Sequence, residues 1–453
     1  MAPRRSGRVL ALRHAIQPTR IVAIGFLGAI VVGALLLALP ISKAGPGGAS
    51  WNEALFTAVS SVSITGLTVT DTSTYWTGFG QVVIIVLVQL GGLGIMTFAT
   101  FVGLLVVRKI SLSARLTSAT ENRSLGITDA KSIIRAVVAL SFLIEAVVAI
   151  VLALQFGIAY GRQPLEAIWL GVFHSISAFN NAGFSLFDPS MTQFVSDPVI
   201  NFALAGATIL GGLGFPVLMQ LRKHLWTPRL WSMNTRLVLA ISGALLVAGW
   251  LFITAIEWAN PRTLGGLDPW SRILAGFFQS VQTRTSGFNT VDIGAMQDET
   301  LFGMSVLMFI GGGPAGTSGG IKVTTFGVLF FILLAEIRGD TAVNVFGKRL
   351  SRAVHREAIT VVLLAVAFVA ASTVALLIMT GDSLTPVLFE AVSAFATTGL
   401  STGITPTLDW PAQMLLCLLM IVGRIGTITL ASSLALRTRT IMYQYPKERP
   451  VIG

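Results

Sequence analysis

Long apolar runs, separated by short polar and basic stretches, set the pattern of this chain. Eight runs stand out, at 21–41, 80–107, 133–156, 199–221, 237–256, 300–335, 358–380 and 411–436. Each is long enough for the roughly 20 helical residues that cross a bilayer. They come as four pairs, and between the members of every pair lies a mixed segment too short and too polar to span. These segments read LFTAVSSVSITGLTVTD (55–71), VFHSISAFNNAGFSLFD (172–188), GFFQSVQTRTSGFNTVD (276–292) and LFEAVSAFATTGLSTGI (388–404). They align on Gly66, Gly183, Gly287 and Gly399, at spacings of 117, 104 and 112 residues. Ten residues earlier stands Phe56, Phe173, Phe277 or Phe389, and five residues later Asp71, Asp188 or Asp292, with Ile404 breaking the last pattern. A second anchor follows 25, 28, 24 and 24 residues on, where glycine clusters begin at Gly91, Gly211, Gly311 and Gly423. Two anchors at matched offsets make a fourfold internal repeat, with units at 1–131, 132–231, 232–350 and 351–453.

Composition narrows the class. The chain is 53% hydrophobic and 11% charged, with mean hydropathy +0.79, where soluble domains carry about 25% charged residues. The lone Cys417 excludes a disulfide scaffold, the hydrophobicity excludes disorder, and an outer-membrane barrel would show short alternating segments. An all-α polytopic membrane protein remains. The net charge of +11 is a topology signal: 24 of the 31 Lys and Arg fall in five clusters, at 4–20, 108–135, 222–236, 338–356 and 437–449. The intervals hold Lys43, Arg162, Arg262, Arg272 and Arg284, and Lys322 and Arg424 fall inside apolar segments. The positive-inside rule puts the clusters and both termini in the cytoplasm, as expected in a plasma membrane. Charges split by membrane spans do not make a nucleic-acid surface. The first run is full length and lacks a clear cleavage site, so no cleavable signal is expected.

Each unit therefore reads as span, re-entrant half-helix, span, giving eight transmembrane helices and four half-helices. Non-helical backbone is tolerated at membrane depth only where protein buries it or it lines a watery path. Four such segments imply a ring around a central pore. If the half-helices enter from outside, their negative C-terminal ends favour a cation at the membrane centre. The turns Ile64–Thr65–Gly66, Asn181–Ala182–Gly183, Thr285–Ser286–Gly287 and Thr397–Thr398–Gly399 then direct carbonyl oxygens inward, with glycine supplying backbone freedom. Carbonyl rings that replace a hydration shell are how potassium filters work. Asp71, Asp188 and Asp292, just outside, either raise the local cation concentration or are ordinary solvated loop acids.

The second span of the third unit contains GGGPAGTSGG, with Gly311, Gly312, Gly313, Pro314, Gly316, Ser318, Gly319 and Gly320. In a helix interior each glycine costs about 1 kcal/mol and the proline about 3 kcal/mol. The stretch is expected to be irregular, as a mobile plug beneath the filter or as a kinked helix packed through small residues. Arg424 replaces the second glycine of its cluster (GRIG against GGLG). A charge in a span usually faces a cavity or a partner, so Arg424 would repel a cation or pin the glycine loop through its carbonyls. Lys322, just past the loop, is a further gate candidate, and Glu145 reads as a buried polar contact.

Rival motifs fail on their own requirements. GTSGG (316–320) formally matches a nucleophile elbow, which needs a positioned base. Of His14, His174, His224 and His355 only His174 falls inside the membrane boundary, in the opposite half-helix. The glycine loop is no phosphate-binding loop, since Ile321 precedes Lys322 and Val323 follows it. Four scattered histidines and one cysteine make no transition-metal site. The chain is not expected to be an enzyme. The remaining rival is an alternating-access cation symporter coupled to Na⁺ or H⁺. Such transporters often carry inverted repeats, whereas all four units here run the same way.

One span–pore loop–span unit repeated four times, with a single glycine per turn at Gly66, Gly183, Gly287 and Gly399, resembles the Trk/Ktr/HKT superfamily of potassium transporters. Eight spans without an extra N-terminal pair look most like the Ktr membrane subunit. The resemblance implies potassium uptake, with the four glycines contributing to selectivity. Gly66 stands where a serine accompanies sodium transport in some plant relatives. It also implies an intramembrane gate at the glycine loop and a gating role for the basic residue at 424. The partners it implies are a cytoplasmic ring subunit that binds ATP or ADP and a second copy of the membrane subunit. The transported ion it implies is K⁺, and Na⁺ is a candidate activating ion.

Overall fold

The computed structural model describes residues 18–115 and 127–426. The basic clusters at 4–20 and 437–449, the middle of that at 108–135, and the end of the last apolar run lie wholly or partly outside the described residues. The described chain is mostly helical. In order it forms α1 (Pro18–Leu37), α2 (Trp51–Ser63), the single turn α3 (Thr72–Tyr75), α4 (Gly78–Arg115), α5 (Ile127–Ile158), α6 (Pro164–Phe179), α7 (Pro198–Leu213) and α8 (Phe215–His224). There follow α9 (Met233–Glu257), α10 (Pro269–Gln282), α11 (Asp298–Phe309) and α12 (Val323–Arg338). The chain ends with α13 (Arg352–Thr380), α14 (Leu384–Ala396) and α15 (Trp410–Ile421), which runs into a π-helical segment over Val422–Gly426. Strands β1 (Asn344–Val345) and β2 (Lys348–Arg349) pair antiparallel as a small hairpin, a minor departure from an all-α chain.

Among the described residues three helices are each long and apolar enough to cross a membrane: α5 over Ile134–Ile158, α9 and α13. The pair α7 and α8 makes a fourth candidate, bent by 103°. Their outer faces are apolar and uncovered, with Leu143, Ile150, Leu251, Leu363 and Ile378 each more than half exposed. Water would penalise that surface and hydrocarbon does not. Two expected spans are broken. The run 300–335 splits into α11 and α12, as its glycine and proline content predicts. The run 199–221 splits at Gly214, which the sequence reading missed.

The four mixed segments form α2, α6, α10 and α14, of 13, 16, 14 and 13 residues. At about 1.5 Å per residue none reaches across roughly 30 Å of hydrocarbon. Three have a defined start. Ser50 and Glu53 form a reciprocal capping box on α2, Pro164 occupies the first turn of α6, and Asp268 caps α10 by accepting from Ser271 N at 3.1 Å. Each packs against the long helix before it: α2 on α1, α6 on α5, α10 on α9, α14 on α13. Other helices wedge between them, α7 touching α6 and α10, and α15 touching α14 and α2. The aligned phenylalanines Phe56, Phe173 and Phe389 are fully buried. In the third segment the neighbouring Phe278 takes that role, and Phe277 packs edge-on to Trp250.

Candidate functional site

The C-terminal ends of α2, α6, α10 and α14 are followed by the same backbone manoeuvre. Ile64, Asn181, Thr285 and Thr397 adopt left-handed conformations with φ between 51° and 70°, and two residues later Gly66, Gly183, Gly287 and Gly399 take φ of 85°, 71°, 90° and 89°. Three of the four non-glycine residues are β-branched, for which this region is a genuine outlier. Such conformations cost on the order of 1–3 kcal/mol each and persist where the surroundings impose them.

The four turns close on one another. A Cβ built on Gly66 would meet Ala182 O and lie 3.3 Å from Gly183 Cα. One on Gly183 would meet Ser286 O, 2.8 Å from Gly287 Cα; one on Gly287 would meet Thr398 O, 3.2 Å from Gly399 Cα. One on Gly399 would meet Thr65 O, 3.1 Å from Gly66 Cα, which completes the circle. The carbonyl before each glycine thus leans on the glycine of the neighbouring turn, and any side chain there collides with backbone. Buried hydroxyls of Thr285, Thr397 and Thr398 take no hydrogen-bond partner, so oxygen atoms beside the ring are uncommitted.

Hydrogen bonds hold the turns. The backbone N–H of Thr65, Ala182 and Thr398 donates to Ser60 O, Ser177 O and Ser393 O at 2.7–2.8 Å. Gly66 N and Gly399 N donate to the hydroxyls of Ser60 and Ser393 at 3.1 Å. The equivalent Ser177 instead donates to Phe184 O, and in the third segment the position is Val281. Behind the second turn, Asn180 donates to Gln89 Oε1 at 2.7 Å and to Glu145 at 3.3 Å, and Gln89 donates to both Glu145 oxygens at 3.0 Å. Glu145 is therefore the buried polar contact that was expected, fastened to the residue preceding Asn181. His174 Nε2 accepts from Leu186 N at 3.1 Å while Nδ1 lies 2.7 Å from Leu170 O, a neutral ring that staples the outgoing loop.

The residues after the glycines open into a cavity of about 350 Å³ that all four glycines line, with Asp71 and Asp188 in its wall. Asp71 accepts from Ser73 Oγ, Thr74 N and Thr74 Oγ1 at 2.6–2.8 Å. Burial opposes its ionisation, but these bonds outweigh that and hold its carboxyl below the usual range. Asp292 caps a turn through Gly294 N at 2.9 Å and does not line the cavity.

The residues before the glycines meet the loop between α11 and α12. Its base is closed by Gly311 N donating to Ile321 O at 2.8 Å and Val323 N to Gly312 O at 3.0 Å. Its body lies along the break between α7 and α8: Gly313 N donates to Gly212 O at 2.7 Å, Phe215 N to Ala315 O and Thr317 N to Gly211 O at 3.2 Å. Gly214, at φ 90°, is where Pro314 O approaches most closely. The loop also touches the ring. The Asn181 carboxamide lies 3.0 Å from Thr317 Oγ1 and 3.2 Å from Ser318 Oγ, and a Cβ on Gly319 would meet Thr397, one on Gly320 Ala396. Arg424, buried in the π-helical segment, donates to Thr317 O, and its Nε and Nη2 find no partner. Lys322 Nζ donates to Ser318 O at 2.5 Å. Single-turn π segments are frequent at functional sites.

The structure thus gathers the twelve predicted turn residues into one ring and sets the glycine loop, Lys322 and Arg424 against it. Sequence reasoning missed the serines six residues before Gly66 and Gly399, the break at Gly214, and Arg284. The serines were visible as a column in the aligned segments. Along the sequence Arg284 lies in the stretch between basic clusters, yet it is buried under the third turn.

The family described as TrkH, cation transport protein, matches residues 42–438. The chain is 37% identical to Ktr system potassium uptake protein B of Bacillus subtilis (strain 168), covering 95% of each chain. It is 36% identical to the protein of the same name from Vibrio alginolyticus, covering 96% of this chain and 94% of that one. Its fold resembles the crystal structure of the potassium transporter TrkH from Vibrio parahaemolyticus, with TM-score 0.70 and 19% identity over 92% and 85% of the two chains. This chain is therefore a membrane-embedded member of the TrkH family of cation transport proteins, a family of transporters and not of enzymes.

Proposed function

We propose that the chain takes up potassium across the bacterial plasma membrane through a channel-like pore. The observation that carries this reading is the closed circle in which each turn carbonyl abuts the filter glycine of the neighbouring turn. Thr65, Ala182, Ser286 and Thr398 supply a carbonyl ring that substitutes for part of the hydration shell of K⁺. The C-terminal ends of four half-helices add partial negative charge there, and the acidic wall of the adjoining cavity concentrates cations at its mouth. The four units, 1–131, 132–231, 232–350 and 351–453, then contribute eight spans in all, with both termini in the cytoplasm.

The glycine loop is the gate. Its backbone docks on the α7–α8 break and its tip on Asn181, so it crosses the path on the half-helix side of the ring. Arg424 and Lys322 hold Thr317 O and Ser318 O. A cytoplasmic ring subunit that binds ATP or ADP moves the loop, two copies of the membrane subunit pair with separate pores, and Na⁺ acts as an activating ion. The relatives named for potassium uptake support the choice of ion, and one named a potassium/sodium uptake protein is 29% identical over 98% of each chain.

The test is potassium uptake in a potassium-uptake-deficient bacterium, with rubidium flux in liposomes, for wild type, Gly66→Ser and Arg424→Ala. Wild type carries rubidium, Gly66→Ser admits sodium, and Arg424→Ala leaks without a regulator. A wild type inert even with its cytoplasmic partner, or a Gly66→Ser protein of unchanged selectivity, would move the alternating-access symporter ahead.

A further inference from the structure

Arg284 stands three residues before Gly287, on the stem of the third turn. In the other segments that position holds Ser63, Asn180 and Ala396. Ser63 bonds within its own segment, to Val59 O and Thr65 Oγ1, and Asn180 reaches Gln89 and Glu145. Arg284 alone of the four donates to the glycine loop. Its Nη2 donates to Gly311 O at 3.1 Å, and its Nη1 to Ser242 O of α9 at 3.1 Å, with the Ser242 hydroxyl 3.4 Å from Nη2. Gly311 is the first residue of the loop, and its own N–H is tied to Ile321 O. The guanidinium is about nine-tenths buried, and among the described residues it forms no ion pair with a carboxylate. A buried charge left without such a partner must be met by hydrogen bonds, and here the acceptors are α9 and the base of the loop.

We infer that Arg284 is a positioning residue that couples the filter to the gate: it clamps the base of the glycine loop to the stem of the third turn. This rests on the reading of the ring as filter and the loop as gate. While Arg284 holds Gly311 O, the base of the loop and the stem of the third turn keep their places relative to one another. Arg424 differs in kind. It also holds the loop, through Thr317 O, but it belongs to α15's extension and not to a turn of the ring. Loss of Arg424 frees the tip of the loop while its base stays clamped to the third turn, whereas loss of Arg284 frees the base and the third turn together.

The experiment is rubidium and sodium influx into liposomes holding the purified full-length membrane subunit, for wild type, Arg284→Gln, Arg284→Lys and Arg424→Gln. Arg284→Gln raises basal influx and lowers the rubidium-to-sodium ratio by about tenfold or more, the lower limit of what one hydrogen bond to a charged group is worth. Arg424→Gln raises basal influx with the ratio unchanged. Arg284→Lys keeps the charge but replaces the forked guanidinium with a single nitrogen on a differently shaped side chain, so its ratio falls between the two. It carries the same comparison if Arg284→Gln is not monodisperse in detergent. An Arg284 variant with the wild-type ratio, whatever its flux, overturns the coupling. If neither Arg424→Gln nor Arg284→Gln raises basal influx, the gate reading fails as well. A wild type that carries no rubidium removes the filter reading itself.

Discussion

Ser60 and Ser393 hold the ring in a way that can be counted. Each hydroxyl accepts one N–H of a filter glycine at 3.1 Å, and a neutral hydrogen bond of this kind contributes about 1 kcal/mol. Ser60→Ala and Ser393→Ala should each weaken half-saturating rubidium by a few-fold and the double variant by roughly the product, read from the concentration dependence of influx. Val281→Ser, which supplies the hydroxyl missing from the third segment, should leave the ring closed and not weaken binding. Gly183→Ala is harsher, because its Cβ would fall 2.8 Å from Gly287 Cα at a φ of 71°. It should abolish selective rubidium influx while the protein still reaches the membrane, as an immunoblot of the membrane fraction would report. The glycines were legible from spacing alone, since only their backbone freedom explains four such residues in register. Arg284 was not, because charge bias along a sequence separates the two sides of a membrane and says nothing of a guanidinium folded inward beneath a turn. Asn180 escaped for a related reason: its partners, Gln89 and Glu145, come from two distant helices.

The same tetrapeptide, GGLG, behaves differently in two elements. At 91–94 it lies inside the continuous helix α4, and at 211–214 it ends α7 with a bend of 103° into α8. The sequence signal for the difference is Pro216, which sits in the first turn of α8 and cannot donate back into α7. The structural reason is the glycine loop, which bonds to the carbonyls of Gly211 and Gly212 and supplies Ala315 O to Phe215 N. Break and loop therefore stabilise one another, and neither is explained by its own segment. Gly214→Ala should loosen the loop, since its Cβ would collide with Pro314 O at a φ of 90°. The expected result is a basal leak of rubidium and a lower melting temperature in detergent, reflecting a penalty of about 1–3 kcal/mol. Gly94→Ala, in the unbroken counterpart and with open space around it, should change neither. The irregular stretch at 311–320 was legible because glycine and proline density is a local property. The break at 214 is only half legible: Pro216 marks it locally, but the loop that holds it open lies about a hundred residues away in the chain.

Across the whole molecule the charges are layered: acids in the cavity wall, carbonyls in the ring, and cations at the loop. Arg424 and Lys322 are the two cations on the loop tip, and they admit two accounts that differ in arithmetic. If they act by repelling the permeant ion, each removes a separate electrostatic barrier, and their effects on the logarithm of the leak rate add. If they act by pinning the loop, they hold the adjacent carbonyls Thr317 O and Ser318 O, and either loss alone lets the same few residues move. Groups that share one mobile element are non-additive, whereas independent ones add within about 0.5 kcal/mol. The geometry favours pinning, because both side chains donate to loop backbone and among the described residues neither pairs with a carboxylate. The measurement is basal rubidium influx for Arg424→Gln, Lys322→Gln and the double variant at equal protein density. Pinning predicts a double variant that leaks little more than Arg424→Gln alone, with the leak insensitive to salt. Repulsion predicts a leak near the product of the two single effects, with all three fold-increases over wild type shrinking toward one as added salt screens the path. Additivity would leave the loop a bystander between two charges, and the ring alone would then have to account for closure.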